Sequence, residues 1–213
     1  MKDYDLKVLQ NISSKNFNFL SLNNERKKIN LDLTRMREAL LLLDNPCQNT
    51  PAIQIVGTNG KGSISAFLEN ILSVAKINIG VTTSPHLFEV SERIRVNQKK
   101  ISPEKFDALL RYIQTKLFEC KLTPFELIIC CGLKYFEINN VKLLILDAGL
   151  GGRLDATTAH KLRPIIAFGK IGIDHTEYLG DSLEKITKEK AAVIEKGSLV
   201  VSCEQNTLSL IHI

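Results

Sequence analysis

A chain of 213 residues, 44% apolar and 24% charged, has the composition of an ordinary globular protein and the length for one large α/β domain. Its net charge of +5 suits anionic small molecules such as nucleotides; the basic residues are dispersed and the densest run, Arg26-Lys27-Lys28, reads as a solvated face, so nucleic acid is not an expected partner. No apolar stretch reaches the roughly 18 residues of a membrane span. Five cysteines without a Cys-x-x-Cys fit reduced thiols in a core better than a disulfide framework or zinc site, and Met1-Lys2-Asp3-Tyr4-Asp5 lacks a signal peptide's apolar segment. The expected location is the cytoplasm.

A helical pattern covers about 30–44, with Leu31, Leu33, Met36, Leu40 and Leu43 on one face until Asn45-Pro46 stops it. A strand at 52–56, a helix to about 75 and a strand at 77–83 make a βαβ unit. Residues 84–102 read as a long polar, irregular loop. Pro103 opens a helix to about 119 after Ser102, and a second runs from Pro124 to about 138. Strands follow at 141–146 and 164–168, then a helix at about 182–195 and a short strand at 198–202. Residues 208–213 show no cap, charge or turn signal and read as an interruption rather than a designed terminus. Strands alternating with helices predict an α/β fold: a doubly wound, mostly parallel sheet of the P-loop NTPase kind, with helices on both faces.

The chemistry is concentrated in loops that follow strands, where ligands bind in such sheets. Gly57-Thr58-Asn59-Gly60-Lys61-Gly62-Ser63 lies between a buried strand and an apolar-periodic helix. Its glycines let the backbone approach an anion, its amides and the helix N-terminus face phosphate oxygens, and Lys61 adds a full charge. It departs from Gly-x-x-x-x-Gly-Lys-[Ser/Thr] in having Gly62 where the hydroxyl residue follows the lysine. Ser84, Asp147 and Asp174-His175 stand after the next strands, a set of donors suited to Mg²⁺ completed by water and phosphate. Arg153 suits bidentate recognition of a carboxylate or phosphate. Taken singly, Asp147 also reads as a helix cap, Asp174 as a turn holder, and His86, His160 and His175 as structural hydrogen bonders. Lys190, within Lys188-Glu189-Lys190-Ala191, reads alone as the solvated face of a helix.

These segments, with Thr83-Ser84-Pro85-His86-Leu87, Glu92-Arg93-Ile94-Arg95-Val96, Gly149 to Thr157, Asp174 to Gly180 and Glu189-Lys190-Ala191, resemble the folylpolyglutamate synthase/dihydrofolate synthase family of the Mur ligase superfamily. The match implies that residues 1–213 form that family's ATP-binding domain, with 1–50 as its N-terminal helical segment and its C-terminal domain absent. It implies an ATP-dependent ligase that adds L-glutamate to dihydropteroate or to folates through an acyl phosphate, acting as a monomer on small molecules. The alternative is a fragment that binds ATP and folate without ligase activity.

By resemblance, Gly57 to Ser63 hold the nucleotide and Lys61, His175 and Lys190 are catalytic. Two Mg²⁺ ions are held by Ser84, Asp147, His175 and a carbamylated Lys190. Thr123, Phe125, Glu126, Arg153, Leu154, Asp155 and Ala156 line the substrate, as do residues 29–31, and 84–102 closes over it. The chain departs from the family in Asp147 for Glu, in Thr158 for Asn after Asp-Ala-Thr, and around Asn30-Leu31-Asp32-Leu33-Thr34-Arg35.

Overall fold

The computed structural model describes residues 31–213, so the expectations for residues 1–30 lie outside the described residues. In chain order the elements begin with α1 (Thr34–Leu42), β1 (Ala52–Val56), α2 (Lys61–Val74), β2 (Ile79–Thr82), β3 (Ile94–Val96) and β4 (Lys99–Lys100). They continue with α3 (Pro103–Lys116), α4 (Pro124–Ile138), β5 (Leu143–Asp147), β6 (Ile165–Phe168), α5 (Thr176–Leu179), α6 (Leu183–Ala191), β7 (Leu199–Ser202) and α7 (Thr207–Leu210). One sheet has the order β4-β3-β2-β5-β1-β6-β7; β2, β5, β1, β6 and β7 are parallel, and the β3–β4 hairpin adds antiparallel strands at one edge. The expected α/β class therefore holds, with a mixed edge.

Local sequence accounts for most element boundaries. β1 is buried at every position, as a central strand covered on both faces must be. The Ser102 hydroxyl caps α3 by accepting from the Lys105 amide at 3.3 Å. At α4, Thr123 and Glu126 form a reciprocal box: Thr123 N donates to Glu126 Oε2 at 2.7 Å and Glu126 N to Thr123 Oγ1 at 3.3 Å.

Strand alternation divides the core. Ile53, Ile55, Val81 and Ile145 meet α2 on one face of the sheet, with Ile64, Leu68 and Leu72 against them. On the other face Leu144 and Leu146 pack with Met36, Ile113, Ile128 and Phe136 of α1, α3 and α4. Further along that face Val56, Ile166 and Phe168 pack with Leu179, Ile186 and Val193. Gln54, fully buried, alternates onto this second face between the two clusters and makes a polar seam there.

Three expectations change. Residues 84–102 are not irregular throughout: they hold a 3₁₀ turn (Val90–Arg93) and the β3–β4 hairpin, with Ile94 and Ile101 fully buried. The hairpin turns on Asn97 and Gln98, both at positive φ (49° and 67°), so it lacks the glycine that marks such turns in sequence. α6 stops at Ala191 rather than near 195. Residues 207–210 form a helical turn whose cap is Asn206, its side chain accepting from Leu208 N at 3.0 Å; the cap stands just before the segment that seemed to have none.

β2 carries a glycine because α4 presses on it. A Cβ at Gly80 would lie 2.6 Å from the Phe136 ring. Gly80→Ala is expected to destabilise the fold by about 1–3 kcal/mol in urea titrations, and Phe136→Leu in that background to recover part of the loss.

Candidate active site

The glycine-rich loop of residues 57–63 is built from backbone packed on backbone. A Cβ at Gly57 would lie 3.0 Å from the Gly169 backbone, and one at Gly169 would lie 2.4 Å from the Asn59 carbonyl oxygen, so both positions need glycine. Thr58 N and Asn59 N donate to Lys170 O at 2.9 and 3.0 Å. The Thr58 hydroxyl donates to Gly172 O at 3.0 Å and accepts from Gly172 N at 3.1 Å. Gly60, at φ 85°, turns the chain into α2. No side chain caps α2, in contrast to α3, α4 and α6. Its first amides therefore face outward beside exposed Asn59, Gly60, Gly62 and Ser63.

Two lysines converge on this loop. Lys61 Nζ donates to Gly57 O at 3.1 Å and to Thr58 O at 3.4 Å, and Lys190 Nζ donates to the same Gly57 oxygen at 3.0 Å. Lys190 is 3% exposed, which corrects its reading as a solvated residue. The cause is long-range. Gly152 lies on the α6 backbone so closely that a Cβ there would sit 2.8 Å from Lys190 O. Burial, together with the Lys61 ammonium, pulls Lys190 down to about 8 against the opposing pull of Asp174, Asp155 and Glu189.

Asp147 ends β5 and is not a helix cap. It is 1% exposed; Oδ2 accepts from Ser84 N at 3.2 Å, while Oδ1 is buried without a hydrogen-bond partner. Burial pushes it up to about 6, although Lys61, the Ser84 amide and Arg95 pull the other way. A buried carboxylate oxygen with no donor fits a bound cation. Among the described residues no three His, Cys, Asp or Glu side chains gather closely enough to hold a metal, so an ion here would need hydroxyl, phosphate or modified-lysine oxygens as well. His175 sits apart at the start of α5, at φ 50° with its side chain 45% exposed, and its Nε2 is 3.5 Å from Asp174 Oδ2. The structure does not bring it into a cluster with Asp147.

Of the expected substrate segments, Phe125 lies on Gly149, where a Cβ would come within 2.7 Å of the ring. Glu126 is engaged in the α4 box and accepts from Arg35 at 3.2 Å. Asp155 organises its own loop: Oδ2 accepts from Gly149 N and Leu150 N, Oδ1 from Thr157 N and the Thr157 hydroxyl, at 2.5–2.9 Å. Ala156 is buried and Leu154 half-buried beside it, while Arg153 is exposed and pairs with Glu189 at 3.0 Å. His160 bonds Thr50 O at 2.9 Å, and His86 accepts from Arg93 Nε at 2.9 Å, partners in keeping with a structural reading of each.

Several supporting residues, Arg95 and Glu92 inside the motifs and Gln54 and Arg163 outside them, are assigned no role from sequence. Arg95 grips Glu69 of α2 with two nitrogens (2.8 and 2.9 Å) and also donates to the Thr83 hydroxyl and Glu92 O. Glu92 accepts from the amides of Leu87, Phe88 and Glu89, which fixes the turn after Ser84. Gln54 donates to the hydroxyls of Thr157 (2.9 Å) and Thr158 (2.7 Å) and accepts from buried Arg163, which also pairs with Glu195. Thr158 passes this on to Gly152 O at 2.8 Å. A lone polar residue inside an all-apolar strand was the available signal for Gln54.

The Asp147 shift makes a pH prediction. Its folded value, about 6, lies above the ordinary 3.8, so burying its charge costs stability fully above pH 6 and not at all below about 4. Asp147→Asn is therefore expected to raise stability at pH 8 by roughly 2–3 kcal/mol and to lose that advantage near pH 4, read as Tm across pH.

No family model matches the chain. A dihydrofolate synthetase of Saccharomyces cerevisiae is 36% identical over 173 residues, which is 79% of this chain and 40% of the relative. E. coli FolC in complex with DHPP and ADP superposes with a TM-score of 0.81 at 32% identity, over 86% of this chain and 44% of that one. A bifunctional folylpolyglutamate synthase/dihydrofolate synthase with Mn, AMPPNP and L-glutamate bound gives 0.78 at 33% identity, over 85% and 44%. The chain thus spans less than half the length of each of these three. On sequence and fold together, the chain belongs to the folylpolyglutamate synthase/dihydrofolate synthase family.

Proposed function

We propose that this chain carries the nucleotide-binding half of an ATP-dependent ligase that joins L-glutamate to dihydropteroate, to folates, or to both. The observation that carries the reading is the pair of lysines, Lys61 and Lys190, meeting at the Gly57 carbonyl beside an uncapped helix N-terminus and the orphan oxygen of Asp147. The neighbouring structures support it through the ligands with which they were solved: ADP and DHPP in one, AMPPNP, Mn and L-glutamate in another. Because the relatives are about twice as long, ligation is proposed for the family's whole enzyme, and phosphate binding for the residues described above.

In this mechanism the substrate carboxylate attacks the γ-phosphorus of ATP, forming a C–O–P linkage as the bond to ADP breaks. The glutamate amine then adds to the acyl carbon, phosphate leaves and the amine proton is lost. The amides of Gly60 to Ser63 and the Lys61 ammonium hold the transferring phosphate and stabilise its charge. Ser84, Asp147, His175 and a modified Lys190 are the residues proposed to hold Mg²⁺, two ions in all. When bound, Mg²⁺ neutralises and orients the phosphates.

Lys190 has the chemistry for that modification. An amine lowered to about 8 is about half neutral at pH 8, and the neutral nitrogen adds to CO₂ with loss of a proton, giving a carbamate. Phe125, Leu154 and Ala156 offer an apolar wall for a flat heterocycle, with Thr123, Glu126 and Asp155 fixing the segments that carry it and Arg153 at the rim. The enzyme is taken as a cytoplasmic monomer; among the described residues no helix is long and apolar enough to cross a membrane.

The test is ADP and phosphate release that requires both L-glutamate and a pteroate or folate; release indifferent to either sinks the reading. Lys61→Ala should lower turnover by roughly 10²–10³-fold or more, and near-normal turnover would remove Lys61 from its role. With ¹³C-bicarbonate at pH 8, a carbamate carbon signal is expected in the native chain and absent in Lys190→Arg.

A further inference from the structure

Gln205 lies outside every segment that marks the family, in the turn between β7 and α7, yet it is only 7% exposed. Its Oε1 accepts from Ile171 N at 3.0 Å. Its Nε2 donates to Gly169 O at 2.9 Å and to the Ser202 hydroxyl at 3.1 Å, and lies 3.5 Å from Cys203 Sγ. One side-chain amide therefore satisfies the peptide groups on both sides of Lys170. The carbonyl of Lys170 itself holds Thr58 N and Asn59 N, and Gly172 holds the Thr58 hydroxyl. Gly169 leaves no slack, since its α-carbon is packed against the Asn59 carbonyl. A shift of residues 169–172 is thus transmitted to residues 57–59.

We propose that Gln205 is a positioning residue for the phosphate-binding loop, acting through residues 169–172. The functional part of this inference rests on the reading of residues 57–63 as a nucleotide site. Leucine at 205 would keep the bulk and leave the Gly169 carbonyl and Ile171 amide buried without partners, a cost the loop relieves by moving. Glutamate would keep the acceptor for Ile171 N and lose the donor to Gly169 O.

The experiment compares the 213-residue chain with Gln205→Leu, Gln205→Glu and the remote core variant Leu133→Ala, by amide hydrogen exchange and by calorimetric titration with Mg-ATP. Gln205→Leu is expected to lose protection at Thr58, Asn59 and Ile171 and to bind Mg-ATP roughly tenfold more weakly, with Gln205→Glu between it and the native chain. Leu133→Ala should lose stability and keep its Mg-ATP affinity, which separates positioning from general weakening. Unchanged protection at Thr58 and Asn59, or affinity within about twofold of native in a folded Gln205→Leu, overturns the proposal. If Gln205→Leu does not fold, Gln205→Glu decides by the same criteria. If the native chain itself fails to bind Mg-ATP, the reading of residues 57–63 falls, and exchange alone decides whether Gln205 holds the loop.

Discussion

Two lysine side chains share the carbonyl oxygen of Gly57, one from the helix that follows the glycine-rich loop and one from α6, more than a hundred residues later. That convergence sets the terms for the rest of the site. Burial first, and repulsion by the Lys61 ammonium second, lower the affinity of Lys190 for its proton. The arrangement persists because backbone is pressed on backbone where the chain brings the lysines together: Gly152 on Lys190, Gly57 on Gly169, Gly169 on Asn59. Any side chain at these points would wedge the loops apart. The glycines therefore serve as points of close approach, with a positive φ as well at Gly57 (153°) and at Gly60 (85°), which starts α2.

A second set of groups ties the loops together from beneath. Arg95 joins α2 to the turn after β2, and Glu92 closes that turn by collecting three amides. Gln54 and Arg163 brace the loop of residues 149–158 from the centre of the sheet. These contacts are directional, and those of Arg95, Gln54 and Arg163 are buried or half-buried, so each fixes a loop position instead of adding general cohesion. Asp147 is the exception, a buried carboxylate with an unanswered oxygen, and it is the place where the fold gives up stability for chemistry.

The alternation of apolar strands and helices was legible because a parallel sheet covered on both faces writes continuous apolar runs into the chain. The strand, glycine-rich loop and helix of residues 52–74 were legible because the glycines, lysine and flanking elements are contiguous. Lys190 was not: Lys-Glu-Lys is indistinguishable from a solvated helix face until Gly152 is laid over it. The β3–β4 hairpin was missed for a similar reason, since Asn97 and Gln98 make a tight turn without glycine and their strands carry Arg and Lys. Gln205 and Arg163 act on partners distant in sequence or on backbone groups, which leave no pattern to read. His175 is placed among the proposed Mg²⁺ ligands by motif order and resemblance, while the geometry shows it beside Asp174, 3.5 Å away.

The polar seam at Gln54 also bears on cooperativity. It separates the apolar cluster of α1, α3 and α4 from that of α5 and α6 on the same face of the sheet, so few apolar contacts bridge the two. Units joined on one face only by strand pairing and a few polar links, and on the other by the cluster under α2, open separately more readily than units whose core is continuous on both faces. Ser84 follows β2 on the α1, α3 and α4 side of that boundary and Lys190 and His175 lie with α6 and α5 on the other, while Lys61 starts α2, which spans the boundary from the opposite face. A partial opening along the seam would dismantle the constellation while the larger cluster stayed folded, making the site a more sensitive reporter of local melting than the bulk of the fold.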